Sequence, residues 1–128
     1  MPLAGALVYR VLELDETYDR GAAHEFLISY EGSRPGGSKE QARQHYYRAL
    51  EISGGQRASA HLALAESVAV SEQNVAAFRE LIGVALEVNP DKVPELRLIN
   101  TIARRRALWL VKRIPDLFLE EEQKEVTK

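Results

Sequence analysis

The side chains best suited to catalysis or metal binding in this chain are its three histidines, His24, His45 and His61. None of them stands in a zinc motif such as H-E-x-x-H, although Glu25 follows His24 directly. The chain has no cysteine, which excludes disulfides, thiolate nucleophiles and cysteine-based zinc sites. No G-x-S-x-G, P-loop or G-x-G-x-x-G phrase occurs. We therefore expect no catalytic residue, no metal and no cofactor, and the sequence favours binding over catalysis.

A pair of opposite charges, Glu66 and Arg106, is the sharper candidate site. Each lies on or next to the apolar stripe of its predicted helix, and a buried charge is costly unless it is partnered. Three interpretations stay open. The two residues form a structural ion pair, the arginine buries its stem and keeps its head in water, or the guanidinium anchors a ligand carboxylate or a peptide.

The basic run Arg104-Arg105-Arg106, followed by Lys112-Arg113, raises the question of nucleic acid. Successive residues of a helix are turned by about 100°, so the three arginines spread around the helix instead of forming one patch. The chain as a whole has a net charge of -2. We expect no nucleic-acid partner.

Aromatic residues are the remaining candidates for a recognition surface, because they offer a large contact area at small entropic cost. Tyr46 shares an apolar stripe with its neighbours, whereas Tyr47 is predicted to be exposed; for Tyr30 and Trp109, packing between helices is the simpler interpretation. The candidates for contact with a ligand or a protein partner are His24, Tyr30, His61, Glu66 and Arg105.

Apolar residues that recur every three or four positions predict the elements that must position these side chains. The predicted helices cover about residues 3–14, 21–32, 38–52, 58–70, 74–88 and 94–120. Ser38 and Gln41 have the spacing of a capping box, Asn74 is a good N-cap, and Gly54 suits a left-handed helix end. No β-strand is predicted.

The helices repeat. The phrase Leu12-Glu13-Leu14-Asp15 returns as Leu50-Glu51-Ile52-Ser53 and as Leu86-Glu87-Val88-Asn89, at intervals of 38 and 36 residues. A helix-turn-helix unit of about 34 residues is the tetratricopeptide period. The sequence therefore predicts an all-α, tetratricopeptide-like right-handed solenoid of about five paired helices and a capping last helix.

Composition is typical of a folded domain. The chain has 128 residues, of which 45% are hydrophobic and 28% charged, so one core is expected. Residues 1–120 are predicted to form a single domain, and residues 121–128, which lack an apolar face, a frayed tail. No apolar run approaches the roughly 18 to 20 residues that span a bilayer.

From Tyr18 to Glu120 the order of phrases resembles the T-component family of TRAP transporters. The segments that carry the resemblance are Gly21-Ala22-Ala23-His24, Arg34-Pro35-Gly36-Gly37, Ala42-Arg43-Gln44-His45-Tyr46, Arg48-Ala49-Leu50-Glu51-Ile52-Ser53-Gly54-Gly55, Ala65-Glu66-Ser67, Glu95-Leu96-Arg97-Leu98-Ile99-Asn100, Ile102-Ala103-Arg104-Arg105-Arg106-Ala107 and Trp109-Leu110.

The resemblance implies a non-enzymatic accessory protein of tetratricopeptide-like fold. Its implied partner is the extracytoplasmic substrate-binding protein of a TRAP transporter, with a small molecule shared between the two as a further ligand. It also implies a periplasmic, lipid-anchored location in the full-length protein. No signal peptide or lipobox cysteine precedes the first helix here, and we expect the chain to be a fragment or a short homologue.

Two other interpretations stay open. If Met1 is the true start, the chain is a cytoplasmic tetratricopeptide adaptor that binds a peptide of its partner. The weaker alternative is an enzyme whose site lies in the groove. Self-association through exposed terminal faces is also left open, because terminal repeats normally carry a polar outer surface.

Overall fold

A computed structural model describes residues 3–15 and 21–118 of the chain. These residues form seven α-helices and no strand, which confirms the all-α class. The helices are α1 (Leu3–Asp15), α2 (Ala22–Ser33), α3 (Lys39–Ser53), α4 (Ala58–Leu64), α5 (Val75–Glu87), α6 (Arg97–Lys112) and α7 (Ile114–Leu117). The predicted frayed tail, 121–128, lies outside the described residues.

The predicted helix ends on α3 and α5 are confirmed at the level of individual hydrogen bonds. The Ser38 hydroxyl accepts from the Gln41 amide at 3.1 Å, and the Asn74 side chain accepts from the Ala77 amide at 3.1 Å. Gly54 ends α3 in the left-handed region, with φ 63°. These contacts satisfy backbone groups that a helix terminus otherwise leaves without an intrahelical partner.

The last helix is shorter than predicted. The sequence predicts one helix over about 94–120, whereas α6 ends at Lys112 and the separate α7 follows. Pro115 explains the break, because proline has no amide to donate and its ring collides with the carbonyl four residues earlier. A 3-10 turn, Pro94–Leu96, replaces the predicted α-helical start.

The helix α4 lies at the centre of the fold. It contacts α2, α3, α5 and α6, while α3 also packs against α2 and α5 against α6. Its residues enter both hydrophobic clusters of the core. One cluster joins Ala58 and Leu62 of α4 to α5, α6 and α7, and the second joins Ala60 and Leu64 of α4 to α2 and α3.

A single buried asparagine, Asn100, fixes α6 against the start of α4. Its side-chain oxygen accepts from the Ala58 amide at 3.0 Å, and its side-chain nitrogen donates to the Gln56 carbonyl at 2.7 Å. Both groups of the amide are therefore satisfied in a residue that is 1% exposed. This is how a polar side chain is tolerated in an apolar core.

The chain continues beyond α4 as a π-helical turn, Ala65–Ala69. The neighbouring helix α2 approaches this turn closely at Gly32, where an added Cβ atom would stand 2.7 Å from the Ser67 Oγ and 3.0 Å from a Val68 methyl group. The contact between α2 and the π-helical turn therefore depends on the absence of a side chain at residue 32.

Within residues 3–15 and 21–118, no helix combines the length and the apolar character that a membrane crossing requires.

Replacing Gly32 by alanine tests the close approach of α2 to the π-helical turn. Gly32→Ala should lower the free energy of unfolding by roughly 1 to 3 kcal/mol, because the added methyl group overpacks the contact with Ser67. Gly83→Ala is the matched control within α5, where an added Cβ meets nothing within 4 Å. It should raise stability by up to about 1 kcal/mol, since alanine is the better helix former. Equal effects of the two changes in urea unfolding would contradict the tight contact.

Candidate functional site

An open cleft lies between α2, α4 and α6. Its volume is about 460 Å³, within the roughly 300–1,000 Å³ typical of ligand pockets. Three helices, the residue before α4 and the π-helical turn after it contribute its lining. The lining residues are Glu25, Ser29, Arg57, Ser59, Leu62, Ala63, Glu66, Ile99, Ile102, Ala103 and Arg106.

The floor of this cleft is apolar and is formed where α4 faces α6. Leu62 and Ala63 contribute from α4, and Ile99, Ile102 and Ala103 contribute from α6. Ile102 and Ala103 follow Ile99 by three and four residues, which places the three on one side of α6. A ligand or peptide in the cleft would meet a hydrophobic surface with charged groups at its edges.

One charged group at the cleft is the ion pair between Arg57 and Glu25. The Arg57 Nε lies 2.7 Å from the Glu25 Oε2, and the two side chains are only 6% and 18% exposed. The pair joins the start of α4 to α2. Its burial makes it a structural element, since removal of one partner would leave the other charge without a full set of compensating contacts.

The second charged group at the cleft is the pair Glu66 and Arg106. The Arg106 Nη2 donates to the Glu66 Oε1 at 2.5 Å, and this hydrogen bond raises the pKa of Arg106. The side chains are 33% and 50% exposed. The two residues therefore form an ion pair, one of the three interpretations that the sequence leaves open, and this pair is partly exposed to solvent.

Glu66 belongs to the π-helical turn that follows α4. It lines the cavity together with Ser59, Leu62 and Ala63 of α4. Leu62, Ala63 and Glu66 follow Ser59 by three, four and seven positions, so they share one side of the helix. The Ser59 hydroxyl is buried and has no hydrogen-bond partner among the described residues. Single π-helical turns inside α-helices are frequent at functional sites. The cleft therefore combines an irregular helix with an unused hydroxyl group.

The other partner-binding candidates from the sequence lie elsewhere. His61 is buried, with its Nδ1 2.8 Å from the Tyr46 hydroxyl, and burial lowers its pKa. Tyr30 stacks on Phe26 and lies beneath the Arg34 guanidinium. Arg105 is exposed on α6 and does not line the cleft. Of the five candidates, the structure places Glu66 in the cavity.

His24 belongs to a second polar cluster, which the sequence did not reveal. Its Nδ1 lies 2.9 Å from the Nδ1 of His45, and the His45 Nε2 lies 3.4 Å from the Tyr9 hydroxyl. That hydroxyl donates to the Glu31 carboxylate at 2.7 Å. The cluster joins α1, α2 and α3, which are neighbours in the fold but far apart in the chain.

Glu31 is the buried charge of this cluster, at 4% exposure. Burial alone would raise its pKa, but hydrogen bonds from Tyr9, from the Ser38 amide and from Arg34 outweigh burial and lower it. Burial and the bond to Glu31 raise the pKa of Tyr9 to about 12. The Ser38 amide thus donates to the Glu31 carboxylate. In a complete capping box, this amide would donate to the Gln41 side chain instead.

The sequence contains only weak signals for the cleft residues that were not predicted. Glu25 and Arg57 are 32 positions apart, and nothing local indicates that they meet. Ser59 lies on the same helical stripe as Glu66, so the helical period could have placed Ser59 beside that candidate residue. The comparable signal for Glu31 was absent, because its partners Tyr9 and Ser38 come from other elements.

The fold and the cleft define an all-α protein of packed helices with an open cavity between α2, α4 and α6. Comparison with known proteins gives the family. The TRAP transporter T-component family matches the chain over residues 1–118, and the chain belongs to this family. It is a family of accessory transport components and not an enzyme family.

A relative in Treponema pallidum (strain Nichols), described as an uncharacterized protein, is 26% identical over 117 residues. The match covers 89% of this chain and 36% of the relative, so the chain spans about a third of that protein's length. No solved structure matches.

The two pairs at the cleft should differ in their contribution to stability. Glu66→Gln should lower the free energy of unfolding by less than about 1 kcal/mol, because exposed ion pairs are weak. Glu25→Gln should cost roughly 2 to 4 kcal/mol, because it removes the carboxylate charge beside the buried Arg57. Urea unfolding of the two matched variants measures both. A larger loss in Glu66→Gln would mean that its pair is the structural one.

The His24 and His45 cluster should make stability depend on pH. Burial, together with the neighbouring His24, lowers the pKa of His45. The folded chain therefore binds fewer protons than the unfolded chain just below the ordinary histidine pKa of 6.5. The free energy of unfolding should be highest above that pH and should fall as the pH decreases through it.

Urea unfolding measured between about pH 7.5 and 5.5 separates the histidine contribution from that of Glu31, because the pKa of Glu31 is lowered from its ordinary value of 4.5. His45→Gln should reduce the slope, and the remaining slope should reflect His61. A wild-type protein that is equally stable or more stable at the acidic end would exclude the effect.

Proposed function

We propose that the chain is the accessory T component of a TRAP-type transporter and that it binds the transporter's extracytoplasmic substrate-binding protein. The cleft between α2, α4 and α6 carries this proposal, because it has the apolar floor and charged edges of a recognition site. Family membership supports the transport role. The small molecule carried by the substrate-binding protein is a further candidate for the cleft.

A tetratricopeptide-like solenoid is the arrangement that we infer for these helices. In it α2 with α3 and α4 with α5 form two repeats, α1 is a leading half-repeat and α6 is the cap. The helix contacts support this inference, since α4 contacts both α2 and α6, α3 packs against α2 and α4, and α5 packs against α4 and α6. In such a solenoid the layer formed by α2, α4 and α6 presents the extended binding surface.

A periplasmic location, with attachment to the membrane in the full-length protein, belongs to the same proposal. The T-component family supports it, because its members are associated with a transporter that takes up substrate from that side. A generic adaptor that binds a cytoplasmic peptide would use the same cleft. The identity of the captured partner separates the two functions.

A bulky residue in the cleft tests the proposal. Ser29 is exposed on α2 and lines the cavity, so Ser29→Tyr should obstruct it and weaken binding of the substrate-binding protein by about tenfold or more, or about 1.4 kcal/mol. Ser71→Tyr is the matched control, at an exposed serine that does not line the cleft.

Affinity capture of the full-length protein from its own cells, followed by titration of the purified substrate-binding protein, provides the measurement. Capture of that protein, with weakening by Ser29→Tyr only, supports the proposal. Capture of cytosolic proteins instead would favour the adaptor. Binding that both tyrosine variants leave unchanged would move the contact away from the cleft.

A further inference from the structure

The exposed side of α6 carries large apolar side chains in a line. Leu98 is 71% exposed, Ile102 57% and Trp109 47%. Their spacing, with Arg105 between them, places them on one stripe of the helix. Leu108 and Val111, both about half exposed, extend the apolar surface to one side. These residues form what we call the outer face of α6.

The charges that α6 itself carries are all of one sign. The helix α6 contains five basic residues and no acidic one, although the chain as a whole has a net charge of -2. Arg106 and Arg113 lie over the Trp109 ring, at 4.7 and 5.2 Å from its centre. Their planar groups therefore flank the exposed indole on the outer face.

Some of these basic residues have partners and some do not. Arg106 pairs with Glu66, and Arg113 pairs with Asp116. Within residues 3–15 and 21–118, no acidic side chain pairs with Arg105 or Lys112. The outer face thus presents positive charge that the described part of the chain leaves uncompensated, directly beside apolar side chains.

The sign of the charge and the size of the stripe limit what can cover this face. A second copy in an α6-to-α6 contact would bring two basic helices together, which is repulsive. The stripe from Leu98 to Trp109 is only about 16 Å long and one helix wide, whereas a stable protein interface needs about 800 Å² from each partner. An anionic bilayer surface needs a single helix face with basic and aromatic residues.

We propose that the outer face of α6 docks on the surface of a membrane that contains anionic phospholipid. In this arrangement α6 lies parallel to the membrane, and Leu98, Ile102 and Trp109 enter the boundary between headgroups and acyl chains. Arg105 and Lys112 keep their charged ends at the lipid phosphates. This inference does not depend on the proposed contact with a substrate-binding protein.

Trp109 makes the test direct, because it is the only tryptophan of the chain. The purified protein is mixed with vesicles of phosphatidylcholine, with or without phosphatidylglycerol, and its emission is recorded while co-flotation measures binding. Phosphatidylglycerol vesicles should bind the protein and shift the emission to shorter wavelength. Pure phosphatidylcholine vesicles should bind at least tenfold more weakly, and salt should weaken binding to the anionic vesicles.

Two matched pairs of variants assign the binding to α6. Leu98→Ser should weaken binding to anionic vesicles about tenfold, whereas Leu14→Ser, at an equally exposed leucine on α1, should not. Arg105→Glu should weaken it by a similar factor, whereas Lys39→Glu, the same charge change on α3, should have a smaller effect. Ile102 is left unchanged because it also lines the cleft.

The opposite results would overturn the proposal. An emission spectrum unchanged by phosphatidylglycerol vesicles, or equal losses in a variant and its control, would exclude docking through α6. A shift of Trp109 emission with a purified protein partner and not with vesicles would assign the face to that protein instead. Thermal melting of each exposed-site variant shows that its fold is intact.

Discussion

Close contact on both sides of α4 is the constraint on which the rest of this structure depends. Alanines on one side of the helix enter the cluster with α5 and α6, and Ala60 on another side enters the cluster with α2 and α3. Small side chains allow neighbouring helices to approach, and interiors packed at this density tolerate little change in volume. A further stripe of the same helix and its continuation, from Ser59 to Glu66, lines the cleft.

The same constraint explains the charges near the cavity. A helix surrounded by neighbours must satisfy its first amide groups without help from water. Asn100 serves the start of α4 from α6, while Arg57, just before that helix, pairs with Glu25 of α2. The polar residues that border the cleft therefore connect the helices that form it. A site of this kind is positioned by rigid elements instead of by loops.

Sequence patterns predicted the regular part of this fold well, because apolar periodicity and caps are local properties. The starts at Ser38 and Asn74 and the end at Gly54 follow from a few neighbouring residues. Pro115 predicts a kink in the last helix, and the structure has a full break there, after Lys112. The π-helical turn has no composition of its own that marks it.

The polar clusters were harder to predict, for a different physical reason. Glu31 and Tyr9 are 22 positions apart and meet only after α1 has packed on α2. Glu66 and Arg106 are predicted as a candidate pair because a charge beside an apolar stripe is unusual. Periodicity does not show, however, how far the neighbouring helices leave each side chain exposed to water. Exposure is a property of the assembled layers, and single-helix patterns do not contain it.

Asn100 has a mechanical consequence for the end of the molecule. Its two hydrogen bonds reach the main chain on either side of Arg57, so α6 is attached to the start of α4 near one of its own ends. The rest of α6 is held by the apolar packing of Ala103, Ala107 and Leu110, which has no directional bond. The hydrogen bonds therefore fix where α6 lies along α4, whereas the apolar contacts set its angle, and a change in that angle would alter the width of the cleft near Arg106.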